Sequence, residues 1–519
     1  MAVKRGLRAS AVVLGLWAAV APSFGCGHVV VNPQLAGATH VPQASKRTPI
    51  LKAHMRSGEL YVLTSWHATA DATMVEGVGT RYSVTRAEGA TGAVSIPIAE
   101  VALFESNSSE TVARGPTAVL AVTTAVLGFV TFACVIDPKS CFGSCPTFYL
   151  EGADPDGRPA AEGFSASIAR ALEARDVDAI GMRPAGGGRF AITMRNEAFE
   201  THAVRRVRLL AAERPAGGRI LAGSDGLYYP TRALAAPRSC RGSEGDCLSA
   251  VSAKDGVERF STADPEDLAA RETIELELPP AAGAVGLVIA ARQTLLSTHL
   301  FYQTMAYFGS RAGEYLASLE RGGPAVAARA MGMARELGGI DAELAVGDGP
   351  WRTVGRFDEP GPIAGDVQVL PFEASGAPLR VRLRQSKGHW RIDQIALARL
   401  SEPVVPRPLE PIEVDHASRP DADVLERLRR GERHLITAPG DAYQIVFELP
   451  PSRHGLELFL ESEGYYYEWM REEWLAEEDA AMASLVVSDP AAALRRLAGS
   501  YKRREGELER AFWASRFRK

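Results

Sequence analysis

Cys141 and Cys145 stand four residues apart in the run CFGSCP, the sharpest local motif of this 519-residue chain. Two soft thiols at that spacing suit a local structural disulfide, thiol–disulfide exchange if one thiol is acidic, or capture of Cu(I). Cys240 and Cys247, in CRGSEGDC, bracket a short polar loop and read as a second local disulfide. Glu197, Glu200 and His202, in NEAFETH, join two expected strands. They can offer two oxygens and an imidazole to a divalent ion, or an acid/base pair. The plainer alternative is a strand connection whose side chains bond free backbone groups. Farther on, YYYEWMREEW is the densest aromatic run. At helical spacing Tyr466, Trp469, Met470 and Trp474 share a face, which either packs on a sheet or stacks against a glycan or peptide.

These residues need a scaffold, and the pattern for it is predominantly antiparallel β in an α+β chain. The runs LKAHM, SGELYVLTSW, MVEGVGTRYSV, AVSIPI and EVALFES alternate at strand period and fill 49–106, a small β-barrel or meander. Within 137–292 the runs FYLEGA, RFAITMR, AVRRVRLLAA, RILAG, LYYP, TIELEL and AVGLVIAA recur at sandwich-like spacing, interrupted by the helical pattern GFSASIARALEAR. A helical insertion is expected over 293–338, opening with the uncharged TLLSTHLFYQTMAYF, and strands return over 339–400 to complete the sandwich-like body. A Pro-rich linker, 401–413, leads to a last part, 414–519, of strands followed by C-terminal helices from Tyr465, Pro490 and about Tyr501.

The address is written at the start. Lys4, Arg5 and Arg8 precede an apolar stretch from Ala11 to Phe24, and Gly25 precedes Cys26. Residues 1–25 read as a cleaved export signal and Cys26 as the acylated residue, with 26–48 as a tether. Local disulfides agree with an oxidising envelope compartment. Residues 116–136 carry no charge and are long enough to span a bilayer core. They read as a membrane-associated helix, with a helix buried against the protein as the alternative. A simple stop-transfer span would return the paired cysteines to the cytoplasm. The net charge of −5 provides no basic field for nucleic acid. No GxSxG elbow, HExxH helix, P-loop or dinucleotide fingerprint occurs, so neither a catalytic site nor a cofactor is assigned.

Three stretches carry a family resemblance: KAHMRSGELYVL at 52–63, SCFGSCPTFY at 140–149 and GYYYEW at 464–469. With the leader, they resemble uncharacterised predicted lipoproteins of Gram-negative bacteria. The resemblance implies a cell-envelope location, most simply the outer membrane, and brings no activity with it. The expectation is a lipid-anchored envelope protein with a binding or assembly role toward an envelope protein or glycan. The alternatives are an enzyme using Glu197, Glu200 and His202, or a thiol- or copper-handling protein using Cys141 and Cys145.

Overall fold

The computed structural model describes residues 28–37, 51–55, 59–82, 88–112, 145–150, 159–183, 185–197, 200–312, 315, 319, 325–326, 328–347, 349–358, 361–437, 440–468 and 477–515. Cys26, Cys141, Trp469, Trp474 and residues 116–136 lie outside them. Antiparallel strands dominate. Among the described residues no helix is long and apolar enough to cross a membrane.

The first sheet has six strands, in the order His28–Gly37, Val101–Val112, Leu51–Met55, Leu60–Ala68, Met74–Tyr82, Glu88–Pro97. Its alternating apolar positions bury Leu51, Ala53, Leu63, Val75, Ile96 and Phe104 in one cluster. His28–Gly37 falls within the segment read as a tether. Its three consecutive valines favour extended backbone, and it pairs with Val101–Val112 over its whole length.

Farther along, two sheets share one core. One is built on Gly186–Arg195 between Thr147–Leu150 and Ala442–Ser452. The other is built on the long pair Glu200–Glu213 and Leu456–Glu468, flanked by Ala174–Arg183 and Arg407–Leu409. Phe148, Ile192, Met194, Ile445 and Phe447 from the first meet Val207, Leu209, Leu458 and Leu460 from the second. The segment GFSASIARALEAR, expected to be helical, is instead a turn and a single 3-10 turn at Arg170–Leu172 that runs into Ala174–Arg183. Asp176 receives the Phe164 amide at 2.9 Å, so a half-buried side-chain acceptor replaces helical hydrogen bonding there.

A five-stranded barrel follows. Tyr228–Ala235, Arg219–Gly223, Asp366–Ser375, Ala282–Gln293 and Trp390–Leu400 pair in that order, and Trp390–Leu400 closes back on Tyr228–Ala235. Leu221, Val288, Val369, Ala396 and Ala398 cluster on one side of its strands. The alternate residues Leu287, Ile289, Ile395 and Leu397 pack against Ile274, Leu276, Val381 and Leu383 of a neighbouring six-stranded sheet.

The helices Leu296–Phe308, Gly332–Leu337, Ala480–Ser488 and Pro490–Ser515 pack together, whereas Ala422–Arg430 lies on Glu200–Glu213. Leu296–Phe308 buries Leu296, Leu300 and Thr304 at four-residue spacing. It stops at Gly309, whose amide still donates to the Met305 carbonyl and whose φ of +50° turns the chain out of the helix. The C-terminal helix is one element, Pro490–Ser515. Asp489 caps it by accepting from the Ala492 amide at 3.0 Å, and Pro490 takes the first position. Its Leu494, Leu497 and Tyr501 pack with Leu296, Leu300 and Met333.

Candidate functional site

Register decides which sequence candidates meet. In the central strand pair His202 lies opposite Tyr466 and Glu200 opposite Glu468. Alternation puts these four side chains on one face of the sheet. A one-residue bulge at Arg205 then brings Val207, Leu209 and Ala211 onto that same face. The stripe that is core at one end is therefore polar at the other. Glu200 and His202 are both fully buried and joined by a 2.7 Å hydrogen bond between Glu200 Oε1 and His202 Nε2. Asn196 donates its side-chain amide to the Glu200 carbonyl at 2.9 Å and to Thr437 Oγ1 at 3.2 Å, which ties the strand entrance down.

Glu197 does not join the pair. Its Oε2 accepts from Thr147 Oγ1 and from the Tyr149 hydroxyl, each at 2.7 Å. The expected Glu197–Glu200–His202 ligand set is thus split. Strand alternation aims Glu200 and His202 one way, while Glu197 precedes the strand and turns toward the neighbouring sheet. Among the described residues no three His, Cys, Asp or Glu side chains are grouped to hold a metal ion.

The aromatic run is also corrected. Tyr465–Tyr467 end the strand Leu456–Glu468 rather than starting a helix. Tyr has high strand propensity, and the pairing with Glu200–Glu213 extends through all three tyrosines. Tyr466 is buried, so it is a wall of the interior and not an exposed stacking platform. Trp469 and Trp474 lie outside the described residues.

Cys240 and Cys247 form the expected disulfide, closing a loop of sequence separation 7. Cys145 differs from expectation: it carries a free, buried thiol, and its proposed partner Cys141 is outside the described residues. Burial pushes the Cys145 thiol well above its ordinary value, and the nearby Glu162 and Glu200 carboxylates push the same way. A thiol so placed stays protonated.

Cys145, Tyr466, Glu162 and Glu468 all line one cavity of about 180 Å³ between the central sheet and the helix Leu296–Phe308. Glu162 and Glu468 are each only 3 % exposed. The Tyr302 hydroxyl donates to Glu468 Oε1 at 2.8 Å, and the Ile363 amide donates to Glu162 Oε2 at 2.8 Å. Leu300, Phe301 and Met305 supply apolar wall from the helix, and exposed Ala166 and Ala334 mark the rim. Neither Glu200 nor His202 reaches the wall; they stand behind Cys145 and Tyr466.

The turn that follows Glu162 and carries Ser165 is held against the sheet by specific chemistry. Phe164 has a φ of +41°, an uncommon backbone state for a bulky residue, and such states gather at functional sites. Its ring lies over Gly464, where a Cβ would come within 2.9 Å of that ring and 2.4 Å of the Ala203 carbonyl oxygen. The Tyr466 hydroxyl donates to the Ser165 carbonyl at 3.2 Å from the other side. Burial, with Asp366 nearby, pushes Asp176 up to about 6 against the hydrogen bonds from the Phe164 and Val177 amides. Sequence reasoning missed Glu162, Tyr302 and Glu468. The one signal for them was the uncharged helix, which had to be covered by something.

No family model matches the chain, and the search of curated proteins found no match. Among solved structures, an exo-β-1,3-galactanase from Phanerochaete chrysosporium with β-1,3-galactotriose is 6 % identical, covering 65 % of each chain at a TM-score of 0.16. A second structure of that enzyme, with galactose, is 6 % identical over 70 % of this chain and 68 % of that one, at the same TM-score. At that score the likeness carries no argument for fold or activity.

Proposed function

We propose that this is an exported, lipid-anchored envelope protein whose body binds a small ligand between the central sheet and the helical insertion. The cavity carries the binding half of this reading: a largely apolar hollow with a few convergent polar groups, on a wall whose backbone is strained into place. Its volume is that of a small molecule, since a cavity of about 150 Å³ accepts benzene. The envelope half rests on the leader ending at Cys26 and on the Cys240–Cys247 disulfide. In this reading the two sheets that share a core act as a sandwich-like body. The acyl chain on Cys26 holds the protein to the outer membrane, with 116–136 as a second membrane contact, and no nucleic acid is involved. Thiol or copper handling recedes because the Cys145 thiol is buried and protonated.

Two measurements test the halves separately. Metabolic labelling with an alkyne fatty acid should mark the wild-type protein and not Cys26→Ala; equal labelling, or none in either, removes the anchor. A thermal-shift screen of small amphiphiles should find compounds that raise the Tm of the wild type and lose that effect in Ala334→Trp, which plugs the rim. Ligand at 100 times its Kd stabilises by about 2.7 kcal/mol, a readily measured shift. Hits that stabilise both proteins equally would place binding elsewhere.

A further inference from the structure

We infer that a second hollow, of about 500 Å³ between the barrel and the strand Ala174–Arg183, binds an organic phosphate monoester. This goes beyond the binding reading above, because the two hollows share no lining residue. Arg219, Arg292 and Arg391 line it from barrel strands, and Lys254 from the loop before Arg259–Phe260. Glu258 and Asp393 are the acids of the same wall, so four cations stand there against two anions. A phosphate monoester carries close to two negative charges at neutral pH and matches that excess, whereas a carboxylate meets half of it.

The acids of this wall are already engaged. Glu258 accepts from Arg292 Nε and Nη2 at 2.7 and 2.6 Å, and Arg391 Nη1 lies 3.7 Å from it. That carboxylate holds two largely buried guanidiniums in place. Asp393 accepts from the Asp255 and Gly256 amides at 3.1 and 3.0 Å, which pins the loop carrying Lys254 to the strand Trp390–Leu400. Lys254 itself has no hydrogen bond or salt bridge among the described residues. At longer range it meets Arg219, a like charge, together with Asp366, Asp393 and Glu457. Asp366 and Glu457 do not line the hollow; they accept from the Ala179 amide and from Arg219 Nη2. Arg219 also buries an Nε–H that has no acceptor. Donors are thus left over, an ammonium and a guanidinium N–H, and phosphate oxygens are acceptors that suit both. Leu150, Ile180 and Ala364 line the same hollow and give the ester's carbon body an apolar surface.

The test is calorimetric titration of the full-length protein at pH 7 with phenyl phosphate, benzoate and phenol. Phenyl phosphate should bind about 10-fold tighter than benzoate or better, and phenol not at all. Lys254→Met keeps the carbon stem on an exposed loop and should weaken phenyl phosphate about 10-fold. Lys254→Glu, which reverses the charge, should abolish its binding. Dihexanoyl phosphatidic acid distinguishes the source of the phosphate. If it binds tighter than phenyl phosphate the occupant is a lipid headgroup, and if weaker it is a free ester. Benzoate or phenol binding as well as phenyl phosphate would overturn the inference. Unchanged affinity in Lys254→Met would place the phosphate elsewhere and sink it too. Failure of both phosphates to bind the wild type at millimolar concentration refutes it with no variant needed.

Discussion

Beside the barrel, Glu272 is buried to 1 % and is met by Arg259, itself buried to 1 %, through two hydrogen bonds of 2.7 Å. Ser261, Ser243 and Gln385 donate to the same carboxylate, and Glu244 takes the other side of the guanidinium. Across the molecule Glu162 and Glu468 are almost as buried, and both border a hollow, where the Tyr302 hydroxyl donates to Glu468 and the Ile363 amide to Glu162. The same chain therefore handles interior acids in two ways. Where an acid is structural, the sequence brings a guanidinium to it, as it does again at Glu457 with Arg219 and at Glu461 with Arg175 and Arg208. Where the acid faces the cavity, a tyrosine hydroxyl or a backbone amide donates to it and open space lies on one side. The contrast separates an acid sealed inside a packed cluster from acids that border a hollow.

The strongest way to break this contrast is Arg259→Ala. Removing one partner of a buried pair leaves an uncompensated charge, so a loss of about 3–5 kcal/mol is expected in urea unfolding. A loss below 1 kcal/mol would put the Glu272 cluster in the same class as the cavity. The disulfide comes next. Its short loop gives about 2–3 kcal/mol in the chain-entropy account, and Cys240→Ala/Cys247→Ala should lower the Tm by the corresponding amount. If reductant leaves the wild-type Tm unchanged, that contribution is absent.

Acid sharpens the comparison further. Burial pushes Glu272 up, but Arg259 and the serine hydroxyls outweigh it and hold the carboxyl at about 2, below its ordinary 4.5. Its folded value is the lower one, so its stabilising effect is whole above about 4.5 and drains away as the pH falls toward 2. The urea midpoint should drop across that window in wild type and drop less in Glu272→Gln; parallel curves would refute the assignment. The smallest effect is on Cys145. Its thiol should resist maleimide in the native protein and react after denaturation, with little change in stability on Cys145→Ala beyond about 1 kcal/mol. Rapid native labelling would reopen the thiol reading.

Much of the strand content was legible. TIELEL alternates, and Arg271–Leu278 buries every second residue accordingly. The uncharged TLLSTHLFYQTMAYF announced a covered helix, and Leu296–Phe308 is that helix. The site was less legible because its spacing is spatial. Glu200 and His202 are two residues apart and fall on one face of a strand, but Glu197 lies beyond the strand start and obeys no such rule. Tyr466 looked helical because Trp469, Met470 and Trp474 follow it at three- and four-residue intervals. Its pairing partner, His202, lies 264 positions away, and nothing local encodes that register. Glu162, Tyr302 and Glu468 come from a two-residue strand, a helix and a strand end, so they meet only once the sheet order is fixed.

That long-range pairing also has a consequence in time. Glu200–Glu213 leaves the ribosome and crosses any membrane well before Leu456–Glu468 does, yet neither can complete the central sheet alone. Contacts of such sequence separation form late, because a long loop must be closed before they yield any stabilisation. A chain cut short between residues 401 and 455 would still hold its barrel strands and the Cys240–Cys247 link, but it would lack Tyr466 and Glu468 altogether. The cavity thus becomes a report on completeness: only a chain translated and delivered through Leu456–Glu468 has that wall of the hollow in place.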